Sequence, residues 1–573
     1  MPPRLILAHD LGTTGNKATL FDVDGSVVAS TFAGYGTRYA QPNWAEQDPA
    51  DWRTALFDST RHLMGMAQSQ AGYSNSDVAV VSFSGHMNGA LVVDAAGAPL
   101  RPAIIWADQR ATTQADFIRE RCGEDEIYRL TGNRISPAYT AAKLLWIKEH
   151  QPDIYRRIYK ILQAKDYAAF LFTGVMATDF SDASLTLMLD LDKRHWAEPL
   201  LERLELDTGL LPPIFPSAQV IGEVTAAAAA VSGLRAGTPV VIGGGDGACA
   251  TVGAGAVDAG DAYNYIGSSS WLAVTTRQLI LDPLRRTFNF VHLDPGLNVA
   301  LGTMQAAGGA FDWFERLLRN DDQLQPQYEV LDKAAAQVPP GSRNLLFLPY
   351  LLGERSPHWN PLARGAFVGL AMPHGRAEMA RAVLEGVAFN LRHILEIMAD
   401  ADRVSNQTSE VTEDLRSRHG TIQTSEVAED LRSRYGMVQT SEVTEDLRSR
   451  YGAIPTSEVF GDLRSLRLIG GGGKSSLWRQ ILADVYGLPI EQLTLPAQAT
   501  ALGAAIAGGI GVGLYRDYSV ARQMAPVLRV VQPDPKNHEQ YEPLYVLFKD
   551  TYTALAPIFE RLAVLPQTHE EVI

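Results

Sequence analysis

The sequence predicts an α/β fold built on a duplicated plan. Three observations predict it. Apolar strand segments alternate with helical ones through most of the chain, a strand–Gly/Thr turn–strand unit opens it, and a strand–Gly/Ser turn–strand unit recurs near residue 267. The first unit runs from Arg4 through an apolar stretch to Asp10, turns at Gly12-Thr13-Thr14-Gly15, and continues to a second turn at Asp22-Val23-Asp24-Gly25. Such a Gly/Thr turn lines up backbone N–H groups and hydroxyls on one edge, which suits phosphate oxygens. An acid at the strand end can bind Mg2+ directly or through water. Read alone, the turn is equally an ordinary hairpin whose glycines supply positive φ. The second unit is Tyr263–Ile266, Gly267-Ser268-Ser269-Ser270 and Trp271–Thr275. Two such units, one per half, imply a nucleoside triphosphate held between the halves.

The remaining elements follow in order. A polar loop, Gln41–Pro49, leads into a helix from Ala50. Asp77–Phe83 reads as a buried strand that ends in the polar turn Ser84-Gly85-His86-Met87-Asn88-Gly89. Ala90–Asp94 and Ala103–Trp106 read as strands, the second ending in Trp106-Ala107-Asp108-Gln109-Arg110. There an aromatic face and an acid can stack on and hydrogen-bond a sugar; the alternative is a surface turn with one packed Trp. Asp116–Leu130 and Ala141–His150 read as helices, and Lys165-Asp166-Tyr167 starts another. Asp179–Ser184 is either a capping loop or a lip of a cleft. Thr238–Ile242 runs into Gly243-Gly244-Gly245-Asp246-Gly247, where the glycines allow close approach of a ligand and Asp246 is a turn residue or a catalytic base. Asp10 and Asp246 both follow apolar strands, so two carboxylates can face one cleft. Farther on, Asn344–Leu352 is apolar and ends in Gly353-Glu354-Arg355-Ser356-Pro357-His358, and Ala377–Ile397 is an amphipathic helix. Arg467–Ile469 leads into Gly470–Gly473, Lys474 and a helix at Leu477–Tyr486. The glycine spacing there is wrong for a Walker A loop, despite the Gly-Lys-Ser. Ala499–Gly513 is a small-residue helix.

Bulk properties exclude several classes. The chain has 573 residues and a formal charge of −15, long enough for two cores and too acidic for a nucleic-acid or membrane-surface partner. Its two cysteines, Cys122 and Cys249, exclude a disulfide scaffold and fit a reducing cytoplasm. One Arg and four apolar residues before His9-Asp10 do not make a signal peptide, and no apolar run is long enough to span a membrane. Thr-Ser-Glu-Val recurs at 408, 424, 440 and 456, a 16-residue period with Thr/Ser-acid starts and Gly stops. Each unit reads as a short helix with a thin apolar stripe, hence a surface insertion at about 402–465, or a self-association arm.

Taken together, Asp10–Gly15, Trp44–Pro49, Trp106–Arg110, Lys165–Tyr167, Gly243–Asp246, Gly353–His358, Gly365–Glu385 and Gly470–Trp478 make the chain resemble the FGGY family of carbohydrate kinases, and most its xylulokinase branch. The resemblance covers nearly everything except about 402–465. It implies two actin-like, ribonuclease-H-like domains, 1–250 on the sugar side and 251–573 on the ATP side, with a cleft between them. It implies ATP and Mg2+, and a small sugar acceptor such as D-xylulose; a homodimer is compatible with it. Carried over, Gly12, Thr13 and Thr14 with Gly267, Ser268 and Ser269 hold the ATP phosphates. Lys17 and Lys474 belong to the same ATP-binding set, and Gly471 and Gly472 lie against the adenosine. Asp10 and Asp246 position Mg2+, and Asp246 is the general base. His86, Met87, Asn88, Trp106, Asp108, Asp246 and Gly247 form the sugar side.

Two departures bear on the acceptor. Where xylulokinases usually carry Gln-Met-His-Gly, this chain has His86-Met87-Asn88-Gly89; where they carry Asp-Asn, it has Asp246-Gly247. Loss of a hydrogen bond to a substrate hydroxyl can shift preference substantially. Another ketose, a polyol or a sugar acid is therefore the alternative acceptor. Two readings outside sugar chemistry are a non-catalytic regulator and a heat-shock-type chaperone ATPase. The second lacks room after Gly470–Gly473 for a β-rich peptide-binding domain.

Overall fold

The computed structural model describes residues 5–319, 326–419 and 463–565. The opening hairpin forms as its pattern predicts: β1 (Leu5–Leu11) pairs antiparallel with β2 (Gly15–Asp22), which pairs with β3 (Val27–Gly34). β1 is central, buried on both faces, and therefore almost continuously apolar. On its other side lies the parallel strand β4 (Val78–Gly85), then β6 (Pro239–Val241) and antiparallel β5 (Val220–Glu223); the two-residue β7 (Gly244–Gly245) also pairs with β4.

The second sheet repeats this order. β8 (Ala262–Ile266), β9 (Ser270–Thr276) and β11 (Asn298–Met304) form an antiparallel meander, edged by β10 (Phe288–Val291). From β8 the sheet extends through parallel β12 (Leu466–Ile469) and β13 (Ile490–Leu493) to antiparallel β14 (Val527–Val531). Thus 3-2-1-4-6-5 is matched by 11-9-8-12-13-14. The duplication read from two turns extends to whole sheets, in line with two actin-like domains.

Two helices join the halves. α1 (Asp246–Gly253) and α2 (Ala499–Gly511) cross with their backbones almost touching. A Cβ at Gly503 would lie 1.9 Å from the Cys249 carbonyl oxygen, and one at Gly253 would lie 1.7 Å from that of Ala499. α2 also lies on the first sheet, with Gly508 against Ser82, Val80 and Ile6. Small residues there are a packing requirement, not merely helix formers.

Several boundaries differ from the pattern reading. The helix expected over Asp116–Leu130 is two, Thr112–Cys122 and Glu124–Thr131, parted at Gly123 with φ 77°. The strand expected over Ala103–Trp106 stops at Ile104, and Asp179 is an N-cap whose carboxylate accepts from the Ser181 and Asp182 amides. The helix at Arg376–His419 runs through Thr408 instead of restarting there, because residues 398–407 contain neither Gly nor Pro. The later repeats lie outside the described residues. Among the described residues, no helix is long and apolar enough to cross a membrane.

Candidate active site

The first sheet delivers three sequence motifs to one end. Asp10 pairs in register with Lys17 on β2 and with Ser84 on β4, and Gly244 and Gly245 pair with Ser84 and Gly85. Asp246 therefore begins α1 beside the end of β1. Burial raises the Asp246 carboxyl to about 7, and the charge of Asp10 adds to the rise. Burial likewise lifts Asp10 to about 6, against the pull of Lys17 and Ser84. The charge of Asp10 thus reaches Asp246 at the same end of the first sheet, which is the physical content of the expected pair.

The first turn is braced from its back. The Gly12 amide donates to the Gly15 carbonyl at 3.0 Å, and the Tyr35 hydroxyl donates to the Gly12 carbonyl at 2.6 Å. Gln47 Nε2 donates to the Thr13 carbonyl at 2.7 Å, and Trp106 Nε1 donates to the Thr13 hydroxyl at 2.9 Å. Thr14 stays exposed. Lys17 Nζ donates to the Ala497 carbonyl at 2.7 Å, tying this hairpin to the loop before α2.

In the second half, β8 and β12 run parallel, so their ends carry Gly267–Ser269 and Gly470–Gly473 to the same edge. Gly470 has φ 87°, and a Cβ on Gly472 would strike Ile266 and Trp478, so only glycine fits there. Gly471 is exposed with open space above it, and Lys474 is exposed nearby. The start of the helix Gly308–Leu318 also braces the turn: the Ala307 and Gly309 amides both donate to the Ser268 carbonyl at 2.9 Å. No spacing rule pointed to Gly308 and Gly309. Their signal is the Gly-Gly pair itself, needed because a Cβ at Gly308 would lie 2.3 Å from the Gly267 carbonyl.

The sugar-side residues divide. Met87 packs over Gly245 and lies beside Gly247. Asn88 adopts φ 63°, and its Oδ1 is buried without a partner among the described residues. Lys143 Nζ fixes this turn by donating to the Asn88 carbonyl at 2.6 Å and the Ile105 carbonyl at 2.8 Å, so it links the turns of Asn88 and Trp106. Burial lowers this ammonium to about 7. Gly247 faces Phe290, whose Cζ would lie 3.2 Å from an added Cβ, so an apolar wall stands where the resemblance led one to expect an Asn side chain.

Two expected sugar contacts are turned inward. His86 is 2% exposed, with its ring edge-on to Trp52 at 5.5 Å, and burial lowers it to about 4. It sits in the turn just past β4, and both its ring nitrogens are buried without a hydrogen-bond partner among the described residues, as is Asn88 Oδ1. Asp108 has no exposed surface; it accepts from the Ala45 amide at 2.6 Å and pairs with Arg110 at 2.7 Å. Its carboxylate is spent on the frame that holds Trp106, and Arg110 in turn stacks on Trp44 at 3.6 Å.

A buried network behind Gly245 was missed by the sequence reading, because a buried lysine is spelled like an exposed one. Lys165 Nζ lies 2.6 Å from Asp166, 2.9 Å from Asp179 and 3.3 Å from Asp182. Burial alone would lower Lys165, but the three carboxylates outweigh it and hold it well above its ordinary value. Asp179 accepts the Ser181 hydroxyl at 2.5 Å, and Ser181 Oγ accepts the Gly245 amide at 2.9 Å. The peptide before Asp246 is thereby fixed.

Mg2+ fits these residues. Two repelling carboxylates are a natural place for a divalent cation, and among the described residues no group of three or more His, Cys, Asp or Glu side chains forms a closed cage. Mg2+ commonly uses one or two carboxylates together with substrate phosphates.

Matched α/β halves, each ending in a Gly/Thr or Gly/Ser turn, with a pair of buried carboxylates at the end of the first sheet, fit a two-domain phosphotransferase. Comparison with known proteins narrows the class. The N-terminal domain of the FGGY family of carbohydrate kinases matches residues 5–253, and its C-terminal domain matches 262–512. The chain belongs to this family and is an ATP-dependent sugar kinase. It is 32% identical to the xylulose kinase of Escherichia coli over 97% of this chain and 100% of that one. Among solved structures, a ligand-bound xylulose kinase and a gluconate kinase, both from Lactobacillus acidophilus, each match with TM-score 0.80 and 27% identity over 97% of this chain and 99% of theirs.

Proposed function

We propose that the chain transfers the terminal phosphoryl group of ATP to the 5-hydroxyl of D-xylulose, with Asp246 as general base. The observation that carries the reading is the Asp10–Asp246 pair at the end of the first sheet. The base must accept the proton of the attacking hydroxyl, and a carboxylate poised near 7 does so with good driving force. Asp10, Lys17 and the two turns would hold the nucleotide phosphates; Asp10 and Asp246 would hold Mg2+, which supplies charge neutralisation at the transferring phosphoryl. Met87, Asn88 and Trp106 would line the acceptor side, with 1–250 and 251–573 as its two domains. A reducing cytoplasm as its setting is supported by the two buried, unpaired cysteines, not by the phosphoryl transfer itself.

A sugar acid or polyol is the second reading, favoured by one observation: Gly247 lies against the Phe290 ring and has no side-chain amide, its backbone N–H being donated to Asp246. The test is ADP release across a panel of D-xylulose, D-ribulose, D-gluconate and glycerol, compared by kcat/KM. The expected result is the highest value for D-xylulose. A higher value for gluconate or glycerol would move the assignment to that acceptor.

The same carboxylate sets the pH dependence. Activity requires Asp246 unprotonated, so kcat/KM should rise with pH along an acid limb whose midpoint lies above the ordinary carboxylate range and, because bound Mg2+ favours the carboxylate, below the metal-free value of about 7. A profile flat from pH 5 to 8 would remove Asp246 from the role of base.

A further inference from the structure

Tyr265 lies on the same face of β8 as Tyr263, two residues before the second phosphate-type turn. The two hydroxyls are used differently. Tyr263 is saturated: it accepts from Trp271 Nε1 at 2.9 Å and from Thr251 at 3.3 Å, and donates to the Gly247 carbonyl at 3.2 Å. The Tyr265 hydroxyl has no hydrogen-bond partner among the described residues. Its ring is clamped face to face on Trp271, with centroids 3.9 Å apart and planes 13° apart. The clamp aims the hydroxyl over the turn, where it would lie 2.5 Å from a Cβ added to Gly267. Burial raises its affinity for its proton, and the charges of Asp246 and Asp10 reach it and add to the rise. A phenol in this position is a fixed donor, half-buried and unused by the protein.

We propose that the Tyr265 hydroxyl donates a hydrogen bond to the transferring phosphoryl group of the nucleotide and is a further catalytic residue. The assignment rests on the kinase reading above. It gives the second half a neutral donor opposite the two carboxylates, where an additional acid would repel the phosphate and an additional lysine would pair with Asp246. Preorganised donors of this kind act where charge develops and need no reorganisation during transfer.

Tyr265→Phe tests it. The variant keeps the ring and its stack on Trp271, and since the hydroxyl has no protein partner the fold loses nothing. We expect kcat to fall about 100-fold, the range for removal of one such donor. The sugar KM should be unchanged, and the nucleotide Kd, measured by calorimetry with ADP, should stay within about threefold, because the donor acts mainly on the transition state. A wild-type kcat in Tyr265→Phe overturns the proposal. A raised sugar KM at unchanged kcat also overturns it, and moves the hydroxyl to the acceptor side. Wild-type enzyme that shows no sugar-dependent ADP release overturns the kinase reading and this proposal with it; normal wild-type turnover matched by the variant overturns this proposal alone.

Discussion

Asp246→Asn should abolish sugar-dependent turnover while leaving nucleotide binding in place. An amide occupies the same volume but cannot take the proton of the attacking hydroxyl, and general-base removal typically costs about 10²–10⁴ in kcat. The two turns proposed to hold the nucleotide are braced elsewhere, by Tyr35, Gln47 and the Ala307 and Gly309 amides, so the ADP Kd should change little. The same variant should be more stable than wild type at pH 8. The folded-state carboxyl is raised from 3.8 to about 7, so the folded protein holds this proton more tightly than the unfolded chain does. Its contribution to stability is therefore most favourable at low pH and is lost as pH rises toward 7 and above. Asparagine removes that penalty. The carboxyl is partly open to the cleft and screened by solvent, so the gain at pH 8 is about 1–2 kcal/mol, vanishing near pH 4. The measurements are ADP release, calorimetric titration with ADP, and thermal midpoints at pH 4.5 and 8. Near-wild-type kcat would sink the base assignment, and a lower midpoint at pH 8 would sink the electrostatic argument.

What could be read from the sequence was what local chemistry dictates. Asp10–Gly15 and Gly267–Ser270 announce strand, turn and strand because glycine and apolar alternation are local signals. The matched sheet orders follow from long-range pairing, such as Tyr263 with Arg467, which no window of sequence contains. Side-chain direction was the weak point. His86 and Asp108 have the right chemistry for a sugar site, yet one faces Trp52 and the other is consumed by Ala45 and Arg110. Lys143 and Lys165 show the converse. A lysine in a helix reads as a solvated residue, and only the packed structure turns one into a clip between two loops and the other into the centre of three carboxylates. Tyr265 was hidden for a similar reason: an aromatic in a strand reads as a strand former filling a core. Its function depends on the free hydroxyl and on what lies across the cleft.

The crossing of α1 and α2 connects the fold to the chemistry, and Gly503→Ala should expose the connection. The added methyl would sit 1.9 Å from the Cys249 carbonyl oxygen, and backbone cannot swing aside as a flexible side chain can. The helices must separate. Overpacking of a rigid contact costs about 1–3 kcal/mol, and more where both partners are backbone. The thermal midpoint should therefore drop by several degrees. The effect on catalysis follows from where α1 begins. Its first residue is Asp246, so a shift of the helix carries the proposed base away from Asp10 and from where the attacking hydroxyl would sit. Misplacement by about 1 Å costs on the order of 100-fold in rate. We therefore expect kcat to fall by about 10- to 100-fold at a temperature where the variant is fully folded, with a smaller change in the ADP Kd. Gly471→Ala is the matched control for the fold, because a Cβ there meets nothing within 4 Å and should leave the thermal midpoint unchanged. If Gly503→Ala lost stability but kept wild-type kcat, the helix crossing would be a packing device only. If it lost neither, the two helices would have room to slide, and the base would not depend on how tightly they meet.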